Sequence, residues 1–499
     1  MGEAYEALMA RMRELDVIGQ IGGLLGWDQE VMMPPKAAKL RAEQMAWISK
    51  EGHARMTAPE VGELLAAAES EANDSEVSRG NLRIIRDSYD KATKKPPEFV
   101  EEFARHRSKS IVTWTEAREK NDFSIFRDDL AKMIDMSREL AGYLGYEDNP
   151  YDALLDLYES GLTVAQVDPL FAGLRESSVP LIKAVSELED KPDCSWVHSH
   201  PWPKASQEAL SQAISEAIGF DFDAGRRDES THPFCGGSNP DDVRWTTRYD
   251  ESEPFGAIYG TMHETGHALY EQGRPRDLDF QPVGEANGLG IHESQSRLWE
   301  NQVGRSLAFC EWSFPLWQEY FPANFEGVTP EMLWQAANQV EPSLIRVEAD
   351  EATYNLHVMI RYEVEKLLIN GELEVDDLPD AWDDMYERFL GIRSSTRTEG
   401  VLQDVHWSMG AFGYFPTYTL GNLYSAQLLQ AAEMDIGDID EQVRQGDFEP
   451  LLNWMRAHVH ARGSILEPAD HVEEATGEQP KPDAFVAYLT DKIGHLYGV

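Results

Sequence analysis

The sequence predicts a mainly α-helical protein, a large helical body of two lobes with a deep cleft and one small β-sheet. Three observations predict it. Apolar residues recur at three- and four-residue spacing over 3–15, 98–121, 164–189, 205–218 and 356–370, with charged residues between them, which is the pattern of amphipathic helices. One run, Val243 to Tyr249, is rich in β-branched and aromatic residues and reads as a strand. Glycine and proline punctuate instead of accumulating, at Met33-Pro34-Pro35, Lys95-Pro96-Pro97, Asn149-Pro150 and through 272–290. Residues 222–240 break the pattern most clearly. With no internal repeat and no low-complexity linker, 1–499 reads as a single domain of two helical lobes.

At 499 residues the chain can bury a large core, and its hydrophobic residues are spread throughout, as in a folded protein. No apolar run approaches the roughly 18–20 residues that span a bilayer. The start, MGEAYEALMARMREL, is acidic and amphipathic and lacks the basic-then-apolar order of a signal peptide. Gly2 lacks the Ser or Thr at position 6 of a myristoylation signal. A cytoplasmic location is expected. Cys194, Cys235 and Cys310 are an odd, widely spaced set with no C-x-x-C pair, so neither disulfides nor cysteine-bound metal is expected.

Charge narrows the partners. The formal net charge is −45, from 89 acidic against 44 basic residues. Such a surface repels nucleic acid and anionic membranes. It also repels itself unless salt screens it. The acids are dispersed over the whole length and lysine is scarce, 15 against 29 arginines, which points to a halophile's salt-filled cytosol and says nothing about a reaction.

His263-Glu264-Thr265-Gly266-His267 is an H-E-x-x-H sequence. On a helix, residues i and i+4 lie one above the other, so both imidazoles can grip one metal ion. Glu264 is swung about 100° round the axis, beside the ligands, where a general base for an attacking water belongs. Ile258, Met262, Ala268 and Leu269 supply apolar faces, and Gly273 stands where a terminating glycine is expected. A shuffled chain of this composition would contain the motif about 4 times in 100. Catalytic zinc usually takes three protein ligands, and a third histidine six residues on is excluded by Gly273. Glu285, in the Gly/Pro-rich loop, and Glu293, opening a helical segment, are the carboxylates that remain. A ligand on a rigid helix is better held, which favours Glu293.

Five signatures in order then resemble the carboxypeptidase Taq type of thermostable metallocarboxypeptidase. They are Asp242-Val-Arg244-Trp-Thr246, His263-Glu264-Thr-Gly-His267, His292-Glu293-Ser294-Gln295, Ile345-Arg346-Val-Glu-Ala349-Asp350 and Gly400-Val-Leu-Gln403-Asp404-Val-His406-Trp407. Looser likeness runs from Trp27-Asp28-Gln29 to Tyr418. The resemblance implies an all-α fold with a cleft, release of single C-terminal residues from peptides, and a homodimer. It implies a divalent metal, usually zinc and replaceable by Co2+, with Glu293 as third ligand. It also implies roles for residues whose ordinary readings are local. Arg346 is expected on a helix, where Asp350 four residues on would be an i,i+4 ion pair; the resemblance makes its fork the clamp for the substrate's terminal carboxylate. His406 becomes a substrate or transition-state hydrogen-bonding group. Tyr414, ahead of Tyr418, becomes a donor to the oxyanion. Asp242, Arg244 and Thr246 alternate on one strand face and can offer polar groups and a backbone edge to an extended peptide, with Arg244 a second substrate-binding residue. His292, next to Glu293, reads either as an outer partner of a ligand or as a packed histidine. Two rival functions keep the same residues: a zinc oligo-endopeptidase without a carboxylate clamp, and a non-catalytic peptide-binding protein, which would not need Glu264.

Overall fold

All five stretches with helical spacing are helices in the computed structural model, which describes residues 2–71 and 75–499. They are Glu3–Val31, Pro97–Lys120, Val164–Ser186, Lys204–Ala217 and Glu351–Asn370. Proline sets several ends. The first helix stops at Val31, ahead of Met33-Pro34, because a residue before proline is pushed out of helical backbone. Pro97 opens its helix at the first position, where no N–H is needed. The protein is mainly helical, with one three-stranded sheet among the described residues. None of those helices is long and apolar enough to cross a membrane.

The sheet joins β1 (Gly225–Glu229), β2 (Cys235–Asn239) and β3 (Asp242–Thr247) in the order β1-β3-β2, with β1 parallel and β2 antiparallel to β3. Only β3 carries the sequence signal of a strand. Being central, β3 has its backbone paired on both sides, so the expected free edge for a peptide is not on it; the outer strands are β1 and β2. Gly237, at φ +142°, is needed where β2 meets β3, because a Cβ there would sit 2.1 Å from the Asp242 carbonyl oxygen.

Two compact units divide the chain, each assembled from three stretches. The first combines Met1–Ala92, Pro192–Ala337 and Tyr424–Gln479. In it, Tyr5, Leu8, Met12, Val61, Leu65, Leu82 and Ile85 form one apolar cluster. Asn81 accepts from the Val283 amide and donates to Gln281, and Arg83 binds Glu467, so distant stretches are tied by polar contacts as well. The sheet lies against the helix Phe255–Gly273 in this unit. The second unit combines Thr93–Lys191, Asn338–Leu423 and Pro480–Val499. Its helix Glu351–Asn370 is buried on nearly every side. Along it, Tyr354, His357, Arg361 and Glu365 follow at three- and four-residue steps, so one polar stripe runs inside the protein.

Candidate metal centre and carboxylate-binding cluster

The helix Phe255–Gly273 carries His263, Glu264 and His267 one turn apart, and the helix Leu289–Arg297 carries Glu293. Glu293 Oε2 lies 3.7 Å from His263 Nε2 and 3.4 Å from His267 Nε2. One ligand atom from each residue falls within 4.8 Å of the others. Gly266 permits this approach. A Cβ there would lie 2.6 Å from the Gln295 carbonyl oxygen and 2.7 Å from Ser296 Cα, so any larger residue would push the second helix, and Glu293 with it, away. Arg297 donates to the other oxygen of Glu293 at 2.7 Å, leaving Oε2 turned to the histidines.

Electrostatics agree with a cation site. Burial opposes ionisation of Glu293, yet Arg297 and His263 outweigh it and hold the carboxyl well below its ordinary range. Burial likewise opposes a charge on His263, but Glu293 and Glu300 raise it to about 8; burial takes His267 down to about 4. Two imidazoles and an ionised carboxylate are a donor set that fits a divalent cation of the three-protein-ligand type. Beside them Glu264 is 5% exposed, and its Oε2 has no hydrogen-bond partner among the described residues. A buried carboxylate oxygen left orphaned calls for a partner outside the protein. Burial lifts this carboxyl to about 7 against the pull of His263.

Behind the ligands stand three further groups. Glu300 Oε2 is 2.9 Å from His263 Nδ1. His292 Nδ1 is 2.5 Å from His267 Nδ1, and its Nε2 is 2.8 Å from Glu271 Oε1. His292 thus contacts the candidate ligand His267 and also packs on Tyr270, so both of its readings have a counterpart. Sequence spacing singles out neither Glu271 nor Glu300. Glu300 sits on a π-helical turn, Leu298–Val303, whose wider winding no residue pattern announces. Glu285 is elsewhere: it pairs with Arg274, and its side chain is half exposed.

The second unit gathers Arg346, Arg361, Gln403, Asp404 and His406. Arg346 donates to Asp404 through Nε (3.1 Å) and Nη2 (2.9 Å) and to Tyr354 through Nη1 (3.1 Å), with Phe415 and Tyr418 against its guanidinium. Arg361 Nε donates to the other Asp404 oxygen at 2.6 Å. Burial opposes the charge on Asp404, but the two arginines hold its pKa well below the ordinary range. His406 packs on Tyr414 and Phe415, and burial lowers it to about 4 against the pull of Asp404. Its Nδ1 is buried without a hydrogen-bond partner among the described residues. Tyr414 also meets Tyr158 and Tyr418 edge-on.

Three expectations are corrected. Arg346 lies in a short 3-10 turn, Arg346–Glu348, and not on a helix. Asp350 is the N-cap of Glu351–Asn370, accepting from the Ala352 and Thr353 amides, so the i,i+4 ion pair does not form. Gly273 is the last residue of its helix with no positive φ; it is small because a Cβ would strike the His460 ring. Arg244 is engaged locally, with its Nε and Nη2 on Asp242 at 2.7 and 3.0 Å. None of the three cysteines is in a disulfide among the described residues.

Residues 7–493 match the family described as carboxypeptidase Taq (M32) metallopeptidase. The chain is 43% identical to thermostable carboxypeptidase 1 of Thermus thermophilus, covering 99% of each chain. It is 40% identical to carboxypeptidase 1 of Bacillus subtilis, covering 95% of each. Among solved structures, an M32 carboxypeptidase from Deinococcus radiodurans superposes with a TM-score of 0.97 at 40% identity over 100% of both chains. A Pyrococcus furiosus carboxypeptidase structure, titled Apo-Mg, does so with 0.95 at 38% over 99% of both. With the family model spanning nearly the whole chain and relatives this close end to end, the chain belongs to the carboxypeptidase Taq (M32) family of metallopeptidases.

Proposed function

We propose that this metallocarboxypeptidase holds a divalent cation, zinc, on His263, His267 and Glu293 and uses Glu264 to hydrolyse the last peptide bond of peptides, releasing single amino acids. The observation that carries the reading is the convergence of the three ligand atoms beside an orphaned, buried Glu264 carboxylate. Two imidazoles with one carboxylate suit zinc, and Co2+ accepts the same donors. The cation supplies Lewis acidity, polarising the scissile carbonyl and making a water more acidic.

The remaining work belongs to the chain. Glu264 takes a proton from the attacking water as the water oxygen bonds to the carbonyl carbon. It then delivers that proton to the leaving nitrogen as the C–N bond breaks. Arg346 binds the terminal carboxylate. Asp404 holds one edge of its fork and Tyr354 one N–H of Nη1, leaving one N–H on each Nη for substrate. His406, kept neutral, hydrogen-bonds the substrate without adding charge, and Tyr414 donates to the oxyanion. Arg244, tied to Asp242, is the next candidate for the clamp.

Each unit is built from three interleaved stretches, which supports reading 1–499 as one catalytic domain. A homodimer, a cytoplasmic location and a halophilic habit belong to the same proposal; sedimentation tests the first. The test of the reaction compares peptides with free and amidated C-termini, in wild type and Arg346→Ala. Preference for the free acid in wild type, lost in the variant, is expected. Equal cleavage of both by wild type would favour the oligo-endopeptidase, and unchanged preference in Arg346→Ala would move the clamp to Arg244.

A further inference from the structure

We infer that Glu300 and the His292–Glu271 pair are positioning residues that fix the tautomers of His263 and His267, so that each presents a bare Nε2 to the cation. The inference rests on the ligand assignment proposed above.

Glu300 lies against Arg297 at 3.1 Å and Arg305 at 3.5 Å as well as against His263. Among two arginines its carboxylate can only accept. The contact at His263 Nδ1 therefore needs a hydrogen on that nitrogen, and a neutral imidazole then carries a lone pair on Nε2, the atom facing Glu293. On the other ligand, one hydrogen must lie between His267 Nδ1 and His292 Nδ1, 2.5 Å apart. Glu271, which also meets Arg274 at 3.2 Å, accepts from His292 Nε2 at 2.8 Å. His292 thus keeps its hydrogen on Nε2 and offers a bare Nδ1. The shared hydrogen belongs to His267 Nδ1, and His267 Nε2 is bare. Reversing that bond would place a hydrogen where the cation must bind.

The two arms differ in kind. His263 is backed by a carboxylate directly, His267 by a neutral imidazole with the carboxylate one step further out. A carboxylate contact raises ligand basicity more than a neutral acceptor does. Arg297 links the His263 arm to the third ligand, since it donates to both Glu293 and Glu300. The π-helical turn gains a reason here, because it carries Glu300 on past the end of the Leu289–Arg297 helix into contact with His263.

The test is chelator competition on the zinc-loaded enzyme, with the visible spectrum of the Co2+ form as a second readout. Glu300→Ala and His292→Phe are each expected to weaken metal affinity by about 10- to 100-fold and to alter the Co2+ spectrum. Glu300→Gln, whose amide oxygen still accepts from His263 Nδ1, should fall closer to wild type than Glu300→Ala. A merely structural role would lower the unfolding midpoint and leave affinity and spectrum alone, and that result overturns the inference. Should Glu300→Ala fail to fold, His292→Phe and Glu300→Gln decide: weakened affinity in His292→Phe supports the inference, and unchanged affinity in both overturns it. His263→Ala is the control for the underlying reading, because full metal retention there would remove His263 from the ligand set whatever the other variants do.

Discussion

Asp404→Asn changes the shape of the second unit's cluster least and its charge most. The carboxylate takes Nε and Nη2 of Arg346 and Nε and Nη2 of Arg361, with side-chain exposures of 12% for Asp404, 6% for Arg346 and 0% for Arg361. Asparagine leaves two buried guanidinium groups sharing no counter-charge and turns an amide donor toward one of them. Breaking a buried pair by removing one partner costs about 3–5 kcal/mol, or roughly two to nearly four decades in the folding constant. Urea titrations followed by tryptophan fluorescence, to which the chain's 13 tryptophans contribute, measure the loss. The pH dependence has a definite sign. The pKa of Asp404 is depressed in the folded state, so its contribution is fully present above the unfolded value, about 4, and is lost as pH falls through the folded value. The gap between wild type and variant should therefore be constant from pH 7 to about 5 and narrow only in stronger acid. A loss under about 1 kcal/mol at pH 7, the size of an exposed pair, would refute the reasoning, as would a gap that stays open in acid.

Three further outcomes follow from the site and the surface. Glu264→Gln should lower turnover by about 10²–10⁴-fold, the usual share of a proton-transfer group, while metal content by elemental analysis stays at the wild-type level; near-normal turnover would remove Glu264 from the mechanism. Glu293→Ala should lose most bound metal and Glu285→Ala should keep it, because Glu285 is paired with Arg274 and lies outside the cluster of His263, His267 and Glu293; the opposite result would return the third ligand to the loop. With a net charge of −45, stability should rise with salt as the Debye length shrinks from about 10 Å at 0.1 M to about 3 Å at 1 M, while the preference for a free C-terminus at the buried Arg346 persists. Full stability without added salt would sink the halophilic reading.

What could be read from the sequence was local. The His263/His267 pair is legible because its geometry is complete within one helical turn, and Glu293 because it falls in the helical segment that follows, although that helix starts four residues earlier, at Leu289. Long-range partners were not legible. Arg346 ignores Asp350 four residues away and binds Asp404 at a separation of 58 residues. Strands β1 and β2 gave no signal, since GRRDE and CGGSN lack both alternation and β-branched residues; pairing with β3 makes them strands. Gly273 was misread because glycine answers two needs, positive φ and missing volume, and a sequence does not say which. The volume next to it is claimed by His460, far along the chain.

The interleaving of the two units has a consequence for synthesis. The apolar cluster from Tyr5 to Ile85 lies wholly within the first stretch and can collapse as soon as that stretch leaves the ribosome. The opposite side of the helix Glu76–Thr93, which gives Leu82 and Ile85 to that cluster, cannot be covered then. Gly80 and Arg83 face Ile465, Ser464 and Glu467, and Arg83 and Glu467 are 384 residues apart. At about 5–20 residues per second, Arg83 waits roughly 20–75 s for its partner. During that interval the part of the seat shaped for Ile465 stands open, the kind of surface that recruits chaperones or aggregates. The nascent chain therefore passes through a long-lived half-built stage before the first unit can close around the helix Phe255–Gly273.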